Sequence, residues 1–455
     1  MAGTERHYVS TTNACKLCKP IGACLAFRGI EGAVPFLHGS QGCATYMRRY
    51  IISHFREPMD IASSALSEKH AVFGGGPNLK QGLKNVITKY GAEIIGIATT
   101  CLTETIGDDV PGIIREFCRE EKDLFSNETG PLLVNASTPS YSGTHMEGFH
   151  EAVKALVGQM ATRNGAAEGV NLLPGFVSPA DIRYLKEILE DFKVSGTVLP
   201  DISETLDGQA LLDYEKIPSG GTPISRIKTM GSARATIEFG RTLMGEHTAG
   251  ELLSTRHGVL LSQVGMPIGI RESDAFFSAM ETVSDKKIPQ KHEQERGRLI
   301  DAYVDAHKYI FGKRAIVFGE EDLVIGLTSL LSETGIIPVL CASGGKSGRL
   351  GECVKAVTKG ITEPPIIRDG ADFFDIASEA ESLKPDLLVG HSKGYSLSRK
   401  LNIPLIRVGF PIHDRIGAQR ILHVGYRGAQ SLLDRVVNAV IERKQDDSPV
   451  GYTYV

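Results

Sequence analysis

Residues 93–118 of the chain have the sequence EIIGIATTCLTETIGDDVPGIIREFC, and they decide the fold that we expect. The apolar run Glu93–Ala98 has the length and the β-branched content of a buried strand. After a polar turn, Asp108 and Asp109 open a new segment, and Val110–Cys118 has the spacing of an amphipathic helix. A buried strand that leads through a short turn into a helix is the repeating unit of parallel α/β sheets.

The same alternation of strand and helix continues along the chain. Ser178 and Pro179 predict the start of a helix, because serine is a good N-cap and proline suits the first turn. The acidic residues 320–322 suit another helix start, and Gly335 suits its end. Further strands are predicted at Gly169–Leu173, Ala315–Phe318, Ile336–Cys341, Leu387–Val389 and Pro404–Val408. The pattern predicts an α/β fold of three Rossmann-like domains, each a mostly parallel sheet flanked by helices.

The length of 455 residues agrees with about three domains of roughly 150 residues each. A Gly/Ala-rich stretch at 165–169 and the end of a charged, helix-like stretch at 286–311 mark the two boundaries. The predicted domains are therefore residues 1–165, 166–312 and 313–455, and the last of them includes a C-terminal helical segment.

The composition excludes several classes of protein. Hydrophobic residues make up 42% and charged residues 23%, as in an ordinary globular protein. The net charge of −4 gives no basic field for nucleic acid or anionic lipid. No apolar run reaches the roughly 18 to 20 residues of a membrane span, and residues 1–20 do not resemble a signal peptide. We predict a soluble cytoplasmic protein that binds neither nucleic acid nor membrane.

Three of the eight cysteines lie in turns where chemistry is expected. Cys18, Cys43 and Cys101 each lie among glycine, proline or threonine residues, and Cys101 directly follows a predicted strand. Ligands of open α/β sheets collect beyond the carboxyl ends of strands. Iron–sulfur clusters need thiolates with close backbone approach, yet simple clusters and zinc sites use four ligands. A site shared with another subunit explains why only three are present here.

The other cysteines have more ordinary explanations. Cys15 forms a C-x-x-C pair with Cys18, but no second pair exists for a zinc knuckle, so Cys15 is interpreted as a bystander or an outer-shell residue. The remaining cysteines are interpreted as structural, because free cysteine is often buried. They are Cys24, Cys118, Cys341 and Cys353.

Two further patterns point away from chemistry. Residues 344–347, GGKS, end like a phosphate-binding loop, but Leu340 stands where its first glycine is required. Nucleotide hydrolysis is therefore not expected in this chain. His38, His54 and His145 are each interpreted as hydrogen-bonded structural residues.

The motifs taken together resemble the β subunit of nitrogenase component 1 over nearly the whole chain. The stretches that carry the resemblance are CKPIGA (18–23), HGSQGC (38–43), HFREP (54–58), VFGG (72–75), TTCLTETIGDD (99–109), TPS (138–140), GFPIHDR (409–415) and VGYRG (424–428). The first 150 residues are the most specific part.

The resemblance implies a β chain paired with a related α chain in an α2β2 heterotetramer. An [8Fe-7S] P-cluster would bridge the two chains, with Cys18, Cys43 and Cys101 as ligands and Ser140 as an additional, oxidation-dependent ligand. Phe73 matches a position at the docking face for the ATP-dependent iron protein, and Glu57 matches a carboxylate near an intersubunit cation. The iron–sulfur active-site cofactor would belong to the α subunit, so the resemblance implies no catalytic residue here.

Three functions remain open from the sequence. The first is an electron-transfer subunit of a nitrogenase-like reductase, and the second is a scaffold subunit for cofactor assembly. Scaffold chains typically keep fewer of these cysteines, whereas the region 414–428 resembles the scaffold branch. The third is a small-ligand-binding α/β protein with its cysteines in the core.

Only 17 residues precede Cys18, fewer than in many molybdenum-type β chains. This favours methylthio-alkanes as substrate, through reduction of a carbon–sulfur bond, with dinitrogen close behind.

Overall fold

The computed structural model describes residues 14–125, 130–165, 168–213, 215–245, 247–361 and 363–451. Three separate sheets follow one another along this part of the chain, and every strand pair within them is parallel. Helices connect the strands and cover the sheets. The predicted α/β class with three Rossmann-like sheets is therefore confirmed.

The first unit contains a four-stranded sheet in the order β2-β1-β3-β4. Its strands are β1 (Ala33–His38), β2 (Ala62–Ser63), β3 (Ile94–Thr99) and β4 (Leu132–Ala136). Its helices are α1 (Lys19–Arg28), α2 (Gln41–Phe55), α3 (His70–Phe73), α4 (Gly76–Tyr90), α5 (Cys101–Ile106), α6 (Val110–Glu120), α7 (Lys122–Phe125) and α8 (His145–Met160). The strand and helix predicted within residues 93–118 are β3 and α6.

The second unit repeats the same strand order, as β6-β5-β7-β8. Its strands are β5 (Val170–Leu173), β6 (Gly196–Val198), β7 (Ala235–Phe239) and β8 (Leu260–Val264). Its helices are α9 (Pro179–Asp191), α10 (Ile224–Thr229), α11 (Ala249–His257), α12 (Ile270–Ser284) and α13 (Gln290–Ile310). Helix α9 begins as predicted, since the Ser178 hydroxyl accepts the Asp181 N–H.

The third unit has five strands in the order β11-β10-β9-β12-β13. They are β9 (Arg314–Gly319), β10 (Ile337–Ser343), β11 (Ile366–Arg368), β12 (Leu387–Gly390) and β13 (Leu405–Arg407). The helices are α14 (Glu321–Glu333), α15 (Leu350–Val357), α16 (Phe373–Leu383), α17 (Tyr395–Leu401) and α18 (Gly425–Asp446). The long C-terminal helix α18 returns to pack against α12 and α13 of the second unit.

One apolar core runs through all three units, and smaller clusters fill the outer faces of the first and third sheets. The segment before α1 also crosses between units, because the Cys15 N–H donates to the Ala371 carbonyl at 3.2 Å. The predicted domain boundaries stay predictions. Residues 1–13, 166 and 167, which they include, lie outside the described residues.

Helices α1 and α8 cross at two glycines, and this contact fixes the start of α1. A methyl group on Gly22 would stand 1.7 Å from the carbonyl oxygen of His145, and one on Gly148 would stand 1.8 Å from that of Lys19. No larger side chain fits at such a close approach. The crossing therefore holds residue 18 at a defined place beside the start of α8.

Among the helices of the described residues, none combines the length and the apolarity that a membrane crossing requires.

Candidate functional site

Each of the three predicted cysteine ligands lies at the start of a helix. Cys18 is the N-cap of α1, Cys43 lies in the first turn of α2, and Cys101 is the first residue of α5. Helix N-termini carry partial positive charge and unpaired N–H groups. They therefore suit an anionic sulfur cluster.

The sheet brings these helix starts together. Helix α2 follows β1 and α5 follows β3, and the ends of these two strands pair at His38 and Thr99. The hydroxyls of Thr100 and Thr103 both donate to the His38 carbonyl, at 3.0 and 3.1 Å. Cys43 and Cys101 thus come from two adjacent turns that are hydrogen-bonded to each other. We call this carboxyl edge of the first sheet, with Cys18, Cys43, Cys101 and Ser140, the cysteine edge.

Ser140 connects two parts of the cysteine edge. Its N–H donates to Cys101 Sγ at 3.2 Å, and its hydroxyl accepts the N–H of Lys19, the residue after Cys18, at 3.2 Å. The loop after β4 that carries it is anchored to β3, where the Thr138 hydroxyl donates to the Thr99 carbonyl at 2.7 Å. The predicted additional ligand therefore lies beside Cys101 and next to the backbone that carries Cys18.

Cys18 and Cys43 also have neighbours in common. Burial raises the pKa of Tyr46, and the charges of Tyr50 and Cys18 add to this effect. Tyr46 therefore lies near Cys18, while on α2 it stands one turn after Cys43. The Ser40 hydroxyl donates to Cys43 Sγ at 3.3 Å and accepts the Cys43 N–H at 3.4 Å.

The cysteine edge opens outward. Cys101 is exposed and Cys18 and Cys43 are partly exposed, whereas Cys15, Cys24 and others are buried. Across the described residues, no three His, Cys, Asp or Glu side chains converge closely enough to hold a metal ion. The donors therefore line an open edge and do not form a closed mononuclear site within this chain.

This donor set fits half of a multi-iron cluster. Iron and bridging sulfide require thiol ligands and hydrogen-bond donors from each protein chain that holds the cluster. This chain offers three accessible thiols, an accessory hydroxyl and several helix N-termini. Hydrogen bonds from Ser40 and from the Ser140 N–H already reach two of the sulfur atoms. Such outer contacts orient the ligands and tune the metal.

A hydrogen-bonded chain links the cysteine edge to the surface around Phe73. The Gly75 N–H donates to Asp108 at 3.1 Å, and the Asp108 carboxylate accepts from His38 Nε2 at 3.0 Å. Burial lowers the pKa of His38 even though Asp108 opposes this, so the imidazole is neutral. Phe73 itself is 85% exposed, and its short helix α3 lies against α5, which begins at Cys101.

Glu57 lies away from the cysteine edge, just beyond the other end of α2. Fourteen residues separate it from Cys43, about 20 Å at the helical rise. Burial raises the pKa of Glu57, and the nearby Asp207 adds to this, while the Gly208 N–H, Arg28 and Arg420 oppose it. Glu57 and Asp207 thus form a separate acidic pair.

The residues interpreted as structural mostly have internal partners. Cys15 Sγ lies 3.6 Å from His391 Nε2, and burial raises the Cys15 pKa to about 12, so this thiol is turned away from the cysteine edge. Cys24, Cys341 and Cys353 are buried, but Cys118 is partly exposed on α6. His38, His54 and His145 all make hydrogen bonds.

Sequence reasoning missed several long-range contacts, of which one crosses between units. His145 Nε2 pairs with Glu320 Oε1 at 2.7 Å, and the Leu17 N–H donates to His145 Nδ1 at 3.3 Å. In the GGKS loop, the Ser347 N–H donates to Glu321 at 3.2 Å, so one loop N–H that a phosphate could use is occupied. No local pattern signals these pairs, which are separated by 26 to 175 residues.

Comparisons with known proteins agree with this geometry. The family described as "Nitrogenase component 1 type Oxidoreductase" matches residues 18–441. The chain is 35% identical to the nitrogenase molybdenum-iron protein beta chain of Clostridium pasteurianum, covering 95% of this chain and 93% of that one. It is 33% identical to the nitrogenase iron-molybdenum cofactor biosynthesis protein NifN of Bradyrhizobium diazoefficiens, covering 96% and 91%. A solved structure, "Nitrogenase Cp1 at pH 6.5", superposes with a TM-score of 0.94 and 34% identity, covering 100% and 98%.

Proposed function

The chain belongs to the family of nitrogenase component 1 type oxidoreductases, as a β-subunit-like member, and from this premise we propose that it is the electron-relay subunit of a nitrogenase-like reductase. It would hold one half of an [8Fe-7S] P-cluster and a related α subunit the other half, in an α2β2 heterotetramer. Electrons would pass from an ATP-dependent iron protein through this cluster to an iron–sulfur cofactor in α.

The observation that carries the proposal is the cysteine edge. Its three thiols come from three separate helix starts, and Ser140 donates its N–H to the Cys101 sulfur. The edge is accessible, so a second chain can supply the missing ligands. When bound, an iron–sulfur cluster supplies reversible one-electron transfer at a potential that the protein tunes.

The residues of this chain would perform three tasks in that relay. Cys18, Cys43 and Cys101 would bind iron as thiolates, as iron–sulfur clusters require. The hydroxyl of Ser140 would serve as an additional ligand when the cluster is oxidised. The Ser40 hydroxyl would donate to the Cys43 sulfur and so lower its negative charge.

The exposed surface around Phe73 supports docking of the iron protein. An accessible aromatic side chain is a typical anchor of a protein interface. Helix α3 lies against α5, which starts at Cys101, so a docked electron donor would stand close to the cluster. The path from Gly75 through Asp108 to His38 ties the same surface to the strand that precedes Cys43.

Glu57 is the proposed carboxylate near a cation at the junction with another chain, whereas its neighbour Asp207 is already ion-paired with Arg183 and, at 3.1 Å, with Arg420. One carboxylate makes too few ligands for a complete site in this chain, since a hard divalent cation takes about six oxygens. The remaining ligands would come from a partner subunit and water.

For the substrate, we infer a small molecule with a strong bond that low-potential electrons can break, either a methylthio-alkane or dinitrogen. The similarity to a molybdenum-type β chain, of which this chain covers 93%, supports dinitrogen as the alternative. Anaerobic assays of the complex separate the two. Methanethiol released from a methylthio-ether selects carbon–sulfur reduction, and ammonia formed without methanethiol selects dinitrogen.

The cluster assignment is tested by removing one ligand from the anaerobic complex of both chains. Cys43→Ala should lower the iron content and remove the cluster signals from the electron paramagnetic resonance spectrum. Cys118→Ala is the matched control, because Cys118 is also partly exposed at a helix but lies away from the cysteine edge. Unchanged iron and spectra in Cys43→Ala would reject the proposal.

A second candidate is a scaffold subunit for cofactor assembly, and the similarity to NifN favours it. A scaffold would bind iron at the same edge but would not turn over substrate. Reduction of acetylene or of a methylthio-ether by the purified complex, at a rate that depends on the iron protein, would exclude the scaffold. Cluster binding without any substrate reduction would favour it.

A further inference from the structure

A cavity of about 440 Å³ lies where the three units meet. Its walls include the first turns of α8 and α14, the loop after β10, and Thr242, Leu243, His247 and Thr248. We call it the central cleft. It lies beyond the carboxyl ends of β7, β9 and β10, where ligands of α/β sheets bind, and its volume suits a small metabolite.

One wall of the central cleft carries negative charge without a counter-cation. Glu147, Glu321 and Asp322 all line it. Among the residues that the structure describes, no lysine, arginine or histidine side chain forms an ion pair with these three carboxylates within 4.0 Å, and the Arg241 nitrogen that reaches Asp322 belongs to its backbone N–H. Carboxylates that are largely enclosed by protein are normally paired with a cation. The wall therefore lacks a cation.

Neutral groups hold these carboxylates in place. Glu147 accepts the Thr144 N–H at 2.8 Å, Glu321 accepts the Ser347 N–H at 3.2 Å, and Asp322 accepts the Thr242 hydroxyl at 2.7 Å. These bonds fix the geometry and leave the net charge in the cleft. Burial raises the pKa of Glu321, and the neighbouring Asp322 and Glu147 add to this rise, which agrees with the missing cation.

His150 is an independent sign of a ligand on the same wall. Its imidazole lines the cleft, and within the described part of the chain it has no hydrogen-bond partner. It lies deep enough that burial lowers its pKa, although Glu238, Asp322, Glu147 and Glu151 all oppose this. The ring is therefore neutral, with one nitrogen free to accept a hydrogen bond from a ligand.

The wall formed by the N-terminal segment and the loop after β10 has the opposite character. Lys16 and Lys346 line it, and neither ammonium has a hydrogen bond or an ion pair among the described residues. The third lysine of the cleft, Lys154, is already engaged with Glu151 at 3.9 Å. The central cleft is therefore lined by free ammonium groups as well as by uncompensated carboxylates.

We propose that the central cleft binds a small zwitterion of the amino-acid class. Its ammonium group would lie against Glu147, Glu321 and Asp322 and donate to His150, and its carboxylate would face Lys16 and Lys346. An organic ammonium fits better than a bare metal ion, since no described set of three side chains is arranged to hold a metal.

A matched series of five-carbon compounds tests the charge pattern. We would titrate 5-aminopentanoate, pentane-1,5-diamine and glutarate into the purified complex that contains the full chain, and follow binding by calorimetry. The zwitterion should bind at least tenfold more tightly than either of the other two. Stronger binding of the diamine or of glutarate would overturn the proposal, and so would the absence of binding by all three.

Two variants locate the site within the cleft. Glu321→Gln should weaken zwitterion binding about tenfold or more, as expected for the loss of a charge-assisted hydrogen bond. Lys16→Gln should weaken the binding of the zwitterion and of glutarate but leave the binding of the diamine unchanged. Glu442→Gln, on the exposed face of α18, is the control and should change nothing. Equal effects of Glu321→Gln and Glu442→Gln would place the ligand elsewhere.

Discussion

The three cysteines of the cysteine edge and the cysteines of the third unit occupy opposite environments. Cys18, Cys43 and Cys101 lie at helix starts and are accessible, whereas Cys341 lies within strand β10 and Cys353 within α15, both buried. Burial raises the pKa of the Cys341 thiol to about 12. The same side chain is an accessible thiol at a helix start or a small buried group within a strand or helix. The difference shows that the position at a helix start, and not the presence of a cysteine alone, distinguishes the cysteine edge.

The largest effect should appear in thiol reactivity. A pKa of about 12, for Cys15 and Cys341, in place of the ordinary 9.0 lowers the thiolate fraction at pH 8 by about a thousandfold. With iron removed by a chelator, the cysteine edge should be alkylated at least a thousandfold faster than these two thiols. Mass spectrometry of modified peptides measures this.

Iron should abolish this difference in reactivity at the cysteine edge. With the cluster bound, Cys18, Cys43 and Cys101 should become as resistant to alkylation as the buried thiols, because iron occupies their sulfur atoms. The partly exposed Cys118 is the internal control and should react equally with and without iron. If all four react alike in both states, the contrast between ligand and structural cysteines fails.

The next largest effect concerns two exposed phenylalanines, one near the cysteine edge and one in the third unit. Phe73 is 85% exposed near Cys101, and Phe374 is 73% exposed on α16 of the third unit. Phe73→Ala should raise the iron-protein concentration needed for half-maximal activity by about tenfold, as for an interface anchor. Phe374→Ala should leave it unchanged. Equal responses would move the docking surface away from Phe73.

A smaller effect should follow from the hydroxyl of Ser40. Ser40→Ala removes the hydrogen bond to Cys43 Sγ, which stabilises the more negative, reduced state. The cluster potential should fall by roughly 20 to 60 mV, the equivalent of one net hydrogen bond for one electron. Redox titration followed by electron paramagnetic resonance measures it.

The same substitution also removes the N-cap of α2, so stability must be followed separately. The loss should cost about 1 kcal/mol of the free energy of unfolding. Ser40→Thr keeps both the cap and the donor, and it should restore the potential. A potential that stays unchanged in Ser40→Ala would leave Ser40 as a helix cap only.

The strands and helices could largely be predicted because short stretches of sequence determine them. Residues 93–118 and the Ser178–Pro179 start contain their own apolar period and caps, and both predictions are confirmed. The central cleft could not be predicted. Its pair His145 and Glu320 joins residues 175 positions apart, and only the packing of the three units brings them together. For the cysteine edge, the sequence predicted turns around the three cysteines, but the helix starts at these positions and the contacts of Ser140 required the fold.

The smallest effect should come from the buried side of the comparison. Cys341→Ala removes one sulfur atom from the core and leaves the Thr328 hydroxyl, now 3.3 Å from Cys341 Sγ, without that neighbour. The free energy of unfolding should fall by about 1 to 2 kcal/mol, measured by denaturant unfolding. Iron content and cluster spectra should not change, and a loss of iron would mean that the third unit supports the cluster.

The pH dependence of the free energy of unfolding is a second test of the buried state of Cys341. The Cys341 pKa is raised from 9.0 to about 12 in the folded chain, so folding keeps this thiol neutral while the unfolded chain ionises. Its contribution to stability is complete below pH 9 and is lost as the pH rises towards 12, at up to about 1.4 kcal/mol per pH unit. Cys341→Ala should therefore show a shallower decline above pH 9 than the unmodified chain. An identical slope in the two would mean that this thiol is not held neutral by the fold.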